Sequence, residues 1–223
     1  MRSLMVPFFC LVAFVSLFTL SALDFVGAED AKNENPTTWD ASTRWGFKWT
    51  RPDAPEWGFI PEKAWEKMFT GGKPDDMVCG LVKYAVPGGQ WGKDEHKIRF
   101  IVFSMQTDGN YKFNDTTDLK GADVKKICEF RHEDARANFK DHKNEKKPYV
   151  NAKYKFEKKV HTFSFTGVHK ESGQTQFIEQ HVFKGNSKYS FRVEVDCPGS
   201  DERAVRIELD RVLNMIVVDK PGK

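Results

Sequence analysis

Eight lysines between Lys140 and Lys159, set against Asp141, Glu145 and Glu157, with Tyr149, Tyr154 and Phe156 between them, form the densest cationic stretch of the chain. Cations beside flat rings hold polyanions by charge and stacking. Lys146, Lys147, Lys153 and Lys155 are the candidate contacts for an acidic glycan or a membrane surface, and the plainer reading is a solvated loop and edge strand. Tryptophan supplies a second group. Five of the six fall at 39, 45, 49, 57 and 65. Trp45, Trp49 and Trp57 are candidates for a ligand-stacking platform, against the commoner use of large rings as core.

The six histidines raise the question of a metal. A zinc-type ion needs three or four ligands converging within about 2.0 to 2.3 Å. His161 and His169 lie eight residues apart on one expected strand, roughly 26 Å, with His181 on the next, so the first two cannot share an ion while that strand stays straight. His132-Glu133-Asp134 and Asp94-Glu95-His96 lack metalloprotease spacing. Asp108-Gly109-Asn110 with Asn114 and Asp115 resembles a calcium loop, but Lys112 stands where an oxygen belongs and no glutamate closes it. There is no Gly-x-Ser-x-Gly elbow, phosphate-cradling glycine loop or CxxC pair, which removes the usual anchors for nucleophilic, nucleotide and thiol chemistry. No cofactor or metal site is expected. Asp and Glu pairs are plentiful, and a small secreted hydrolase using two carboxylates is kept as the alternative to a binding domain.

Residues 1 to 28 carry Arg2, an apolar run from Leu4 to Leu20 and small residues at Val26-Gly27-Ala28. This is the pattern of a cleaved export signal, and it implies a secreted or periplasmic protein with no transmembrane segment after cleavage. In an oxidising compartment Cys79, Cys128 and Cys197 would form one bridge and leave one thiol. The pairing backed here is Cys79 with Cys197, with three free thiols as the competing expectation. Asn114-Asp115-Thr116 is the one glycosylation sequon, since Pro36 disqualifies Asn35. A net formal charge of +3 on 223 residues by itself proposes no nucleic-acid or membrane partner, export argues against nucleic acid, and the partner expected is a protein or a glycan.

The elements that must position these residues follow from periodicity. Residues 29 to 38 are a polar leader, and 39 to 223 make one domain. Trp45, Phe47 and Trp49 alternate as a strand does, and a short helix is expected over 61–69. Met77 to Val86 and His96 to Thr107 should form a hairpin across Pro87-Gly88-Gly89, the second strand being apolar on both faces. Spacing at 124, 127, 128, 135 and 139 predicts a helix from Ala122 to about Lys140, after which a lysine-rich connection leads to Pro148. Three antiparallel strands follow: 151–169 with a break near Lys158-Lys159, 174–184, and 188–196. In the last, Tyr189, Phe191, Val193 and Val195 face one way and Ser190, Arg192, Glu194 and Asp196 the other, the mark of a half-buried strand. Ser200 caps a closing helix whose stripe is Val205, Leu209, Val212, Leu213 and Ile216, ending before Pro221. The order describes an α+β protein with helices packed on a largely antiparallel sheet.

That order, with the phrase Phe47-Lys48-Trp49 running into a Pro and Trp segment, resembles the PsbP, Mog1 and DcrB-like superfamily. The matching stretches are Ile98 to Ser104, Thr162 to Gly167 leading into Gln176 to Phe183, Lys188-Tyr189-Ser190-Phe191, and the helix Ala204 to Ile216. The resemblance covers most of Trp45 to Ile216 and implies a small non-enzymatic accessory or binding domain. The lysine-rich stretch and the Trp-rich entry depart from the pattern, so no functional residue carries over.

Overall fold

The computed structural model describes residues 36–42, 46–68, 77–104, 121–184 and 190–219. The export signal, most of the leader, Trp45, the calcium-like loop and the Asn114 sequon lie outside them.

Among the described residues ten strands and three α-helices follow in the order β1 (Thr38–Asp40), β2 (Phe47–Thr50), β3 (Trp57–Phe59), α1 (Glu62–Met68), β4 (Met77–Tyr84), β5 (His96–Ser104), α2 (Gly121–Ala137), β6 (Phe139–Asn151), β7 (Val160–His169), β8 (Thr175–Lys184), β9 (Ser190–Pro198), α3 (Glu202–Leu213) and β10 (Ile216–Val218). Seven strands form one antiparallel sheet in the order β3-β4-β5-β9-β8-β7-β6, and β1-β2-β10 form a smaller one. The protein is α+β, as its sequence predicts.

Strand periodicity decides what each face meets. On one face of the large sheet Phe100, Val102, Phe183, Phe191, Val193 and Val195 pack with Phe47 and Trp49 of the small sheet and with Val205, Leu209, Val212 and Leu213 of α3. On the other face Val124, Ile127, Cys128 and Ala135 of α2 cover Phe139, Phe163, Phe165, Ile178 and Val182. Helices therefore lie on both sides of the sheet. The expected hairpin of β4 and β5 forms, with a bulge between Met77 and Cys79.

Four expectations need correction. The lysine-rich connection is β6, the edge strand of the sheet, because α2 stops at Ala137 and Phe139 inserts beside Phe165. The closing helix ends at Leu213, where the Asn214 amide donates to Asp210 O at 3.1 Å and its side chain to the same oxygen at 2.7 Å. Ile216 then belongs to β10, paired with Trp49. β9 is not half-buried. It is the central strand of seven, and its polar face lies inside: Ser190 is 0 %, Arg192 5 % and Glu194 8 % exposed.

The bridge between Cys79 and Cys197 does not form, and Cys79, Cys128 and Cys197 are buried free thiols. Cys79 opposes Val102, Val102 opposes Val193, and Cys197 lies four residues further along β9. Two strand spacings and four residues of rise put the two Cα atoms roughly 16 Å apart, far beyond disulfide reach. Burial pushes the Cys79 and Cys197 thiols up, and that of Cys128 to about 12, so they pack rather than react.

Candidate functional site: the edge strand and the helix beside it

β6 advances three residues for every two of its neighbour. Lys140 opposes Val168, Lys143 opposes Thr166, Lys146 opposes Ser164 and Tyr149 opposes Thr162, with a register shift in each interval. The sequence repeats in the same step: Phe139-Lys140-Asp141, His142-Lys143-Asn144, Glu145-Lys146-Lys147, Pro148-Tyr149-Val150. The extra residues Asp141 and Asn144 take φ of 54° and 52°, the left-handed region that Asp and Asn tolerate best among residues with a side chain. At the start of the strand Gly167 makes room: a Cβ there would stand 3.0 Å from Phe139 Cβ and 3.3 Å from Lys140 O.

This step sorts the side chains into files. His142 lies against Phe165, and Glu145 lies 2.8 Å from His132 Nε2 and 2.9 Å from Arg136 Nε on α2. Lys140, Lys143 and Lys146 follow the register onto the side of the sheet that carries α3. Their partners on β7 are two residues apart, so the file repeats roughly every 7 Å. All three, with Lys147, are exposed and pair with no carboxylate among the described residues.

α3 runs beside this file. Asn144 Nδ2 donates to Glu202 Oε2 at 3.4 Å, Lys153 Nζ lies 3.6 Å from Asp210 Oδ2, and the Lys155 amide donates to Asn214 Oδ1 at 2.9 Å. Beneath the helix lies a buried polar network. Arg206 Nη1 donates to Glu179 Oε2 at 3.1 Å, its Nε to Glu202 Oε1 at 3.1 Å and its Nη2 to Ser164 Oγ at 3.5 Å, while its guanidinium sits 4.8 Å over the Phe177 ring. Thr166 Oγ1 donates to Glu202 Oε2 at 2.9 Å. His181 Nε2 lies 2.9 Å from Glu179 Oε1, and its Nδ1 shares a hydrogen bond with Thr162 Oγ1 at 3.1 Å. Tyr154 closes the end edge-on to His181, its hydroxyl pushed well above the ordinary tyrosine range by burial and then by Glu179. Burial opposes ionisation of Glu202, but the bonds from Thr166, Arg206 and Asn144 outweigh it and hold its carboxyl below the usual range.

The network fastens α3 to β7 and β8. A second charged group lies on the opposite face, where Arg99 forms a two-point pair with Asp196 and Arg192 Nε lies 2.5 Å from Glu194 Oε1. Desolvation pushes the Glu194 carboxyl up despite the arginines around it.

The other candidates fare differently. Trp49 and Trp57 are 0 % and 1 % exposed, so they offer no stacking face. Trp49 Nε1 donates to Val212 O at 3.0 Å, which anchors the indole against α3, and Trp57 lies under Lys83 Nζ at 5.5 Å. Lys146, Lys147, Lys153 and Lys155 all reach solvent. No metal-binding group of His, Cys, Asp and Glu occurs among the described residues. Sequence reasoning passed over Lys140 and Lys143 as members of a file; the three-residue repeat of Lys before Asp or Asn was the available signal.

No protein-family model matches this chain, and no curated protein is similar to it in sequence. Among the solved structures similar to it are two that overlay with TM-scores under 0.5. LpqN of Mycobacterium tuberculosis, described as involved in cell envelope biogenesis, gives a TM-score of 0.48 at 9% identity over 78% of this chain and 83% of LpqN. A chain from Bacteroides thetaiotaomicron VPI-5482 gives 0.43 at 10% identity over 85% of this chain and 50% of that one, so this chain spans half its length. Neither overlap bears on activity or partners. Among the described residues no helix is long and apolar enough to cross a membrane.

Proposed function

We propose that this chain is an exported, non-enzymatic binding domain that engages a polyanionic partner along β6. The observation that carries the reading is the file of Lys140, Lys143 and Lys146, spaced by the three-for-two register and exposed with Lys147. Cations without carboxylate partners among the described residues, on a regular spacing, are poised to exchange solvent ions for a partner's charges. The export pattern of residues 1–28 supports a secreted or periplasmic setting, and the PsbP, Mog1 and DcrB-like element order supports an accessory role. The two-carboxylate hydrolase is less well supported. Glu179 and Glu202 are both held by Arg206, whereas such a reaction needs one carboxyl kept protonated as the acid.

Retention on heparin beads tests the reading. The protein should bind at low salt and elute steeply as salt rises, and Lys146→Glu with Lys147→Glu should elute much earlier. Identical elution of the variant and the wild type would reduce the file to ordinary surface.

A further inference from the structure

Five large apolar side chains are exposed among the described residues, and two of them, Tyr149 at 39 % and Ile207 at 74 %, stand on the flank that carries the lysine file. Ile207 lies on α3 between Arg203 and Arg211, all three exposed at helical spacing of four. The contacts of Asn144 with Glu202 and Lys153 with Asp210 set this helix alongside β6. Cations from two separate elements therefore surround two apolar side chains on one side of the molecule.

We propose that this flank docks on an anionic lipid surface, an inference that rests on the polyanion reading and names its partner. A single polymer chain is best held by a walled track, whereas these cations spread over a strand edge and a helix. The depressions between them, about 500 Å³ beside Asn144, Arg203 and Ile207 and about 460 Å³ beside Lys146, Tyr149 and Lys153, are shallow and open. Glu202, Glu208 and Asp210 on this flank are each paired to a cation, which leaves Arg203 and the lysine file as the exposed charges beside the projecting Ile207. That combination matches the boundary between headgroups and acyl chains, where cations meet phosphate and the apolar tip enters hydrocarbon.

The full chain, recovered in the form a secreting host exports, is sedimented with phosphatidylcholine vesicles and with vesicles containing added phosphatidylglycerol, in parallel with heparin retention. Binding should require the anionic lipid. Ile207→Ser, at a site too exposed to affect folding, should lower vesicle partition about tenfold while leaving heparin retention unchanged. Lys143→Glu with Lys146→Glu should lower both, and Val86→Ser, an exposed apolar residue beyond β4, should lower neither. Heparin retention without vesicle binding, wild-type partition by Ile207→Ser, or an equal loss in Val86→Ser overturns the lipid inference and leaves the polyanion reading standing. Failure to bind either heparin or anionic vesicles overturns both.

Discussion

Replacing Arg206 by methionine isolates what the buried network contributes. The side chain of Glu179 is 3 % exposed and that of His181 0 %, so removing the guanidinium leaves a carboxylate in the sheet interior with a histidine and no cation opposite it. Breaking a fully buried pair in this way costs about 3–5 kcal/mol, because the surviving charge stays desolvated. Arg206 itself is 31 % exposed, and water partly screens the pair, which brings the expected loss to roughly 2–3 kcal/mol. Methionine keeps the packing over Phe177, so the loss reports charge rather than volume. For a chain of this size that is a fall in Tm of roughly 4–12 °C. Urea unfolding followed by the emission of buried Trp49, Trp57 and Trp65 measures it directly. Adding Glu179→Gln to Arg206→Met should recover at least about 1 kcal/mol, since the stranded charge is gone. A single variant within about 0.5 kcal/mol of wild type, or strictly additive losses in the pair, would refute the network as the fastening of α3.

Two other substitutions test separate features. Burial and then the charge of Arg99, against Asp196, push the His96 imidazole down to about 4. Below its ordinary value near 6.5 the unfolded chain takes up a proton that the folded chain refuses, so stability should decline as pH falls from 6.5 to 4 and level off below. The decline is roughly 2 kcal/mol for this half-buried ring, and His96→Gln should flatten it in denaturation curves across that range; an undiminished slope would count against the assignment. Burial lowers His132 and His161 too, so part of the slope should persist. Asn144→Val places a branched side chain at φ 52° and should cost about 1–2 kcal/mol, whereas Asn144→Gly should stay near wild type. Equal stability of the two in urea would show that the left-handed residue is not needed.

The elements that announce themselves by period were legible. The two-sided apolar run at Ile98 to Phe103 is an interior strand, and the stripe from Val205 to Leu213 is the buried side of α3. Misreadings arose where tertiary surroundings overrule local pattern. Arg192, Glu194, Glu179 and His181 look like solvent-facing residues of alternating strands, yet they are inside, because α2 and α3 cover both faces and the charges satisfy one another. The extent of β6, which the sequence suggests only as a loop with an edge strand, was obscured for another reason. Its period is three, which matches neither a helix nor a flat strand, and eight lysines in twenty residues resemble a loop. The strands β1, β3 and β10 are three residues each, too short for any repeat to show. The candidate site was thus half visible, its cations in composition but their alignment only in register.

The three-for-two register of β6 also bears on how this molecule behaves in company. A thirteen-residue strand at a sheet edge ordinarily offers a ready ladder to any passing extended chain, and so a seed for fibres. Here the outward donors and acceptors fall out of phase with a flat strand at each extra residue, so no incoming segment can pair over more than a short stretch before its bonds miss. Lysines along the rim add repulsion between copies. The longest strand among the described residues thus carries its own protection against edge-to-edge pairing.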